Sequence, residues 1–207
     1  MARNEALFQA VYTGDRDAAR EAVQAALDNG ESVESIMNDS LIAAMRQIGA
    51  DFECGEAFVP EMLIAARAMD TALQVIEPLL VKSGVEPKGR VCIGTVQGDL
   101  HDIGKNLVAM MLKGAGYQVD DLGVDCSLET YVSAVERGAQ VVCLSALLTT
   151  TMPAMQDVVA QLKQAGFDVP VIVGGAPITQ EYADQIGASG FSSTASGAVS
   201  VVERCLS

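Results

Sequence analysis

Val91-Cys92-Ile93-Gly94-Thr95-Val96 runs directly into Gln97-Gly98-Asp99-Leu100-His101-Asp102-Ile103-Gly104-Lys105-Asn106. The first six residues are a short apolar run without polar alternation, the pattern of a strand buried on both faces. A polar, glycine-containing loop follows, and a helical pattern begins near Ile103. The same rhythm then continues to the C-terminus. Strands are expected at 118–122, 140–145, 170–173 and 189–192, and helices at 103–115, 128–138, 152–165, 178–186 and 195–206. Strand–helix alternation of this kind predicts an α/β unit, a parallel sheet covered by helices on both faces. Ligands of such sheets bind beyond the C-terminal ends of the strands, at the topological switch point. The loop 97–106 is therefore the first place to look for chemistry.

Upstream the texture differs. Residues 1 to about 85 are rich in Ala, Met, Leu, Glu and Gln. Apolar positions recur at helical spacing, as in Ile36, Met37, Leu41, Ala44, Met45 and Ile48. Met62, Leu63, Ala66, Met69, Leu73 and Ile76 repeat the pattern after Pro60, which suits a first helical turn. Breaks at Asp28-Asn29-Gly30 and Cys54-Gly55 divide the segment into four helices, about 3–12, 15–28, 33–53 and 60–83. That number makes a small four-helix bundle. Val85-Glu86-Pro87-Lys88-Gly89 reads as a linker, so two domains are expected, 1–86 and 87–207, with a hinge near 83–90.

Composition narrows the functions. The 207 residues carry 27 acidic and 13 basic side chains, a formal charge of −14. Neither half is a basic platform, with −9 over residues 1–86 and −5 over the rest. That opposes nucleic acid or an anionic membrane surface as a partner. Cysteines at 54, 92, 126, 143 and 205 form no C-x-x-C pair. They suit neither a disulfide framework nor a structural zinc site, and point to a reducing compartment. Met1-Ala2-Arg3-Asn4-Glu5 lacks a signal-peptide pattern, and no apolar run reaches the roughly 18 residues of a membrane span. A cytoplasmic protein is expected.

His101 is the chain's one histidine. A lone histidine also reads as a structural hydrogen-bonding residue. Here Asp99 stands two residues before it and Gly104 three after it, directly beyond a strand. A metal-ligating imidazole usually offers its second nitrogen to a carboxylate, and Asp99 can supply one. One histidine cannot hold a free zinc or iron ion. It can supply one axial ligand to a metal already caged in a macrocycle.

Gly98-Asp99-Leu100-His101-Asp102-Ile103-Gly104-Lys105-Asn106 resembles the D-x-H-x-x-G signature of base-off/His-on cobalamin-binding domains, in the form seen in methionine synthase and the corrinoid proteins of methyltransferase systems. Leu144-Ser145-Ala146-Leu147-Leu148-Thr149-Thr150-Thr151-Met152 and Val173-Gly174-Gly175-Ala176-Pro177 match the same pattern. Gly49 to Glu61 resembles the family's corrin-capping helix-turn-helix. The resemblance implies a helical cap on a doubly wound, flavodoxin-like, five-stranded parallel sheet that binds cobalamin.

It also implies roles. His101 would be the lower axial ligand of cobalt, Asp99 would hydrogen-bond His101, and Thr151 would bond Asp99, a chain that couples proton uptake to ligand release. Gly98, Leu100, Asp102, Ile103 and Gly104 would complete the cofactor loop. Leu147 would also belong to the cofactor-binding set. Ser145 and Thr149 would face the displaced nucleotide tail, with Gly174 and Gly175 allowing close approach and Ala195 lining the benzimidazole pocket. On the residues alone, Ser145 and Thr149 also read as strand-end caps and one glycine as a tight turn. Phe52 and Val59 match the positions that cover the methyl-bearing face. Met62 and Met69 read as core, with a place in that cover as the lesser reading. Asn38 stands where methionine synthase has a carboxylate, so no acid role passes to it.

With only a cap and a cobalamin domain, the expected function is a methyl carrier between two methyltransferases. One would be substrate-specific and the other would serve an acceptor such as tetrahydrofolate or a thiol, with a reductive activator as a further partner. The alternatives are a cobalamin-dependent sensor, which the −9 N-terminal half opposes, and a mutase small subunit, which lacks a helical cap. Methanol, methylamine, methoxyaromatic and betaine donors remain open.

Overall fold

The computed structural model describes residues 3–83 and 87–207. The expected boundary at 86/87 and the hinge at 83–90 include residues 84–86, which lie outside the described residues. The chain divides into two compact units, one running to Pro87 and taking in Lys113–Gly116, the other Lys88–Leu112 with Tyr117–Ser207.

The first unit is helical: α1 (Glu5–Tyr12), α2 (Arg16–Asp28), α3 (Val33–Ser35), a π-helical stretch (Ile36–Ile42), α4 (Ala43–Glu53) and α5 (Val59–Ser83). Side-chain caps start the rods. Asn4 accepts the Leu7 amide and Asp15 the Ala18 amide, at 3.2 and 3.0 Å, satisfying donors that a helix start leaves free. Leu7, Val11, Val23, Ile36, Leu41, Met62, Met69 and Ile76 are fully or almost fully buried. Each contributes about 1.5–3 kcal/mol by leaving water. Met62 and Met69 are thus core residues of this unit. The helix expected over 33–53 is not one α-helix. Ile36 and Leu41, and Met37 and Ile42, are all buried and lie five residues apart. A π-helix hydrogen-bonds i to i+5 and stacks such pairs on one face.

The second unit carries five parallel strands, β1 (Arg90–Thr95), β2 (Gln118–Asp121), β3 (Val141–Ser145), β4 (Val171–Gly174) and β5 (Gly190–Ser192), in the order β2-β1-β3-β4-β5. Helices α6 (Ile103–Gly114), α7 (Leu128–Glu136), α8 (Met152–Gln164), α9 (Gln180–Ile186) and α10 (Ala195–Leu206) connect and follow them. Every residue of β1 after Arg90 is buried, as a central strand requires. β1 pairs with β2 on one side and β3 on the other, so the chain's winding direction changes at β1/β3. Val96, expected within the strand, makes only an isolated bridge to Cys126. α9 begins two residues later than expected because Thr179 turns extended and caps it through the Tyr182 amide. Among the described residues no helix is long and apolar enough to cross a membrane.

Candidate functional site

Three loops meet beyond the C-terminal ends of β1, β2 and β3. Their centre is the carboxylate of Asp99, which is fully buried. Oδ1 receives the His101 amide at 3.0 Å and lies 2.7 Å from His101 Nδ1. Oδ2 receives the Leu147 amide at 2.8 Å, the Leu148 amide at 3.3 Å and the Thr151 hydroxyl at 2.8 Å. The same hydroxyl lies 2.9 Å from the Leu148 carbonyl, so its one proton has two acceptors. Burial pushes the Asp99 carboxyl up, but the donors from His101, Leu147 and Thr151 outweigh it and hold the group well below the usual carboxylate range. Asp99 is an anion at neutral pH.

That anion fixes the tautomer of the neutral imidazole. Nδ1 carries the proton and donates it to Asp99, and Nε2 keeps a free lone pair. The His101 side chain is 51% exposed, while Asp99 beneath it is sealed. The apolar side chains of Leu100 and Ile103, 71% and 76% exposed, flank His101 in sequence, and those of Leu147 and Leu148 are also open to solvent. A nitrogen ligand with an apolar surround suits a flat, largely apolar group.

The loop is held from a second side by residues that sequence reasoning missed. Thr95, fully buried at the end of β1, donates its hydroxyl to the His101 carbonyl at 2.8 Å. Asp125 accepts the Gly98 amide at 2.7 Å and donates its own amide to the Asp99 carbonyl at 3.0 Å. Lys105, buried in the first turn of α6, places its ammonium on Asp121 at 2.5 Å and Asn106 at 2.7 Å. Backbone donors and acceptors leave no side-chain signature. Only the Lys-Asn pair after Gly104 gave any signal in the sequence.

The remaining expected residues separate into groups. Thr95, Ser145, Gly174 and Ser192 stand in register across β1, β3, β4 and β5, a row of small residues along the sheet's C-terminal edge. Thr149 is exposed in the loop before α8. Ala195 opens α10, where Ser193, Thr194 and Gly197 line a cavity of about 580 Å3. Asp102 is exposed and bonds Asn106 at 3.1 Å. Phe52, near the end of α4, and Val59, the first residue of α5, are half-buried in the helical unit.

The glycines differ in kind. Gly175 has φ +136°, and a Cβ there would fall 1.8 Å from the Ala146 carbonyl oxygen. Its reason is the chain's own backbone, where close approach by a ligand was the expectation. Gly104 is the opposite case. A Cβ there would meet no protein atom within 4 Å, and its φ lies outside the left-handed region. Neither backbone conformation nor packing against protein atoms demands glycine at 104.

This donor set tests the implied cofactor. Among the described residues no three His, Cys, Asp or Glu side chains gather to hold a bare metal ion. One imidazole with a pinned Nδ1 and a free Nε2 fits a metal whose other ligands come from a macrocycle. The open side of Gly104 and the exposed Leu100 and Ile103 fit the ring itself.

Comparison with known proteins agrees. A B12 binding domain family matches residues 89–200, and a second B12 binding domain family matches residues 3–77. The chain belongs to the B12-binding domain family. Among B12-binding proteins, it is 39% identical over 206 residues to a corrinoid protein of Desulfitobacterium hafniense (strain Y51), covering 97% of this chain and 95% of that one. It is 42% identical over 202 residues to trimethylamine corrinoid protein 1 of Methanosarcina acetivorans, covering 95% and 94%. A solved methanol:cobalamin methyltransferase complex from Methanosarcina barkeri matches with a TM-score of 0.89 at 29% identity, over 98% of this chain and 79% of that one. The B12-binding unit thus contains the β1–α6 loop, and the second match falls on the helical unit.

Proposed function

We propose that the chain is a corrinoid methyl carrier that accepts a methyl group from a substrate-specific methyltransferase and delivers it to a second methyltransferase serving an acceptor such as tetrahydrofolate or a thiol. The observation that carries this reading is the His101 imidazole, half-exposed and pinned through Nδ1 to a buried, five-fold bonded Asp99. Trimethylamine and methanol in the names of the relatives support a small methylated amine or alcohol as the donor class.

When bound, the corrinoid supplies a cobalt that takes up and releases a methyl group. The protein's part would be to hold the corrinoid through His101 Nε2, whose direction Asp99 sets. Asp99 keeps the proton on Nδ1 and so leaves Nε2 as the nitrogen available to the cofactor. Thr151 and the Leu147 amide hold Oδ2, which keeps the carboxylate aimed at the ring. Leu100 and Ile103 offer apolar contact that excludes water beside the ligand. The −9 charge of residues 1–86 opposes a DNA-binding regulator.

The test is loading with cobalamin. The wild-type protein is expected to give a base-off, histidine-ligated absorption spectrum, and His101→Ala a base-off spectrum with water in that position. Methyl transfer from a methylamine- or methanol-specific methyltransferase should follow in the wild type only. A free-cobalamin spectrum in the wild type, or an unchanged spectrum and transfer rate in His101→Ala, overturns the reading.

A further inference from the structure

We infer that Asp125 is a positioning residue for His101, clamping the ligand loop through a reciprocal pair of bonds. The inference rests on the reading of His101 as the cobalt ligand. Among the described residues Asp125 is the one non-glycine with a left-handed backbone, φ +52°. L-residues adopt that region at a cost, and Asp and Asn tolerate it best because the short polar chain bonds nearby backbone. Such outliers concentrate where the surrounding structure imposes them for function.

The reason for the conformation is visible in what Asp125 touches. Its Oδ1 accepts the Gly98 amide at 2.7 Å, and its own amide donates to the Asp99 carbonyl at 3.0 Å. Both bonds fall on the two residues that lead into His101. The next residue, Cys126, gives its amide to the Thr95 carbonyl at 2.9 Å, and the Thr95 hydroxyl holds the His101 carbonyl. The loop after β2 therefore grips the His-bearing loop on its main chain, while the loop after β3 grips it through the Asp99 carboxylate. A loop held only through Asp99 could pivot about that side chain. Two attachments on the backbone remove the pivot and fix the direction of Nε2.

The side chain of Asp125 is exposed, so it makes no core that would explain it as packing. Gly98, the donor to Asp125, has φ +84°, so a residue with a side chain there would strain the backbone that carries the bond.

Three variants of the full chain separate the contributions. Asp125→Gly keeps the backbone conformation and loses the acceptor. Asp125→Asn keeps both the conformation and an acceptor oxygen, and loses only the charge. Asp125→Ala loses the acceptor and strains the backbone as well. The first readout is solvent exchange of the His101 Nδ1 proton and the Gly98 amide in cofactor-free protein. The chain's single histidine gives an unambiguous signal. The second readout is the fraction of bound cobalamin with histidine coordinated.

Asp125→Gly is expected to exchange both protons about tenfold faster and to lower the histidine-on to histidine-off ratio about tenfold, with Asp125→Asn within twofold of wild type. Asp125→Ala is expected to match Asp125→Gly in exchange, and if it fails to fold the other two variants decide. Wild-type exchange and spectrum in Asp125→Gly overturn the proposal. So does a loss in Asp125→Asn equal to that in Asp125→Gly, because charge rather than the bond would then be responsible. A changed exchange with no histidine ligation even in the wild type defeats the ligand reading itself, and is distinguished by the His101→Ala control.

Discussion

Thr151 gives its hydroxyl to Asp99 Oδ2 across 2.8 Å and makes no side-chain bond to α8, the helix it precedes. Threonine at that position ordinarily accepts an amide of its own first turn. Here the hydroxyl links the loops after β1 and β3, and the helix start goes without its cap. The bond that locks the histidine's carboxylate is stronger, because its acceptor is charged and sealed from water.

Replacing Thr151 by Val removes the hydroxyl at nearly constant size. Asp99 Oδ2 retains the Leu147 amide, so the expected loss is about 1–2 kcal/mol. It should appear as a lower urea midpoint with unchanged slope. Thr151→Ser restores the bond and most of the stability. Equal midpoints for Thr151→Val and wild type contradict the assignment.

Asp99 ties stability to pH. Its folded value lies below the ordinary 3.8, so its contribution is fully present above 3.8 and is lost as pH falls through that value toward the folded one. Asp99→Asn faces its amide toward N–H donors and has no such dependence. The difference in melting temperature between wild type and Asp99→Asn should shrink as pH falls below 4. A gap that stays unchanged down to pH 2.5 is the outcome that refutes a depressed Asp99.

Gly104 and Gly175 should respond in opposite ways. Gly175→Ala drives a Cβ into the Ala146 carbonyl and strains a left-handed backbone, at a cost of about 3 kcal/mol or more. Gly104→Ala meets open space within α6 and gains helix propensity, up to about 1 kcal/mol. Thermal unfolding of the two cofactor-free variants checks both signs. Gly104→Ala should nevertheless retain cobalamin less well on gel filtration. A stable Gly104→Ala with wild-type retention removes the ring from that space.

Lys105 supports the site from beneath the helix start. With its side chain buried and Asp121 partly exposed, Lys105→Met is expected to cost about 1–3 kcal/mol. Salt screens buried pairs weakly, so the cost should persist in 1 M sodium chloride. A difference that disappears at high salt points to a surface pair.

Much of the architecture was legible along the chain. The unbroken apolar run at Val91–Val96 marks a central strand because a strand covered on both faces needs no polar alternation. Strand ends fell within a residue or two, since pairing in the sheet, and not local preference, sets where a strand stops. The π-helical stretch at Ile36–Ile42 was not legible. Over seven residues, Met37 and Leu41 also stand four apart, which fits an α-helical period. In the site, the Asp99–His101 spacing was informative because both side chains come from one short loop. Leu147, expected among the cofactor-binding residues, also serves Asp99 through its amide. Asp125 carried no signal at all, since nothing local asks for aspartate in a left-handed turn.

The sequence by itself determined that this protein has a helical half and a parallel α/β half, with His101 two residues after Asp99 in the loop that follows the first strand. Only the tertiary structure decided that the aspartate is sealed, ionised and aimed. Every residue but proline has the same amide proton and every residue the same carbonyl, so composition cannot say which of them point inward. The β1/β3 switch point brings the Leu147 amide and the Thr151 hydroxyl to one oxygen of Asp99, and the turn after β2 brings Asp125 to its backbone. That convergence from distant segments turns a lone histidine into a directed nitrogen donor.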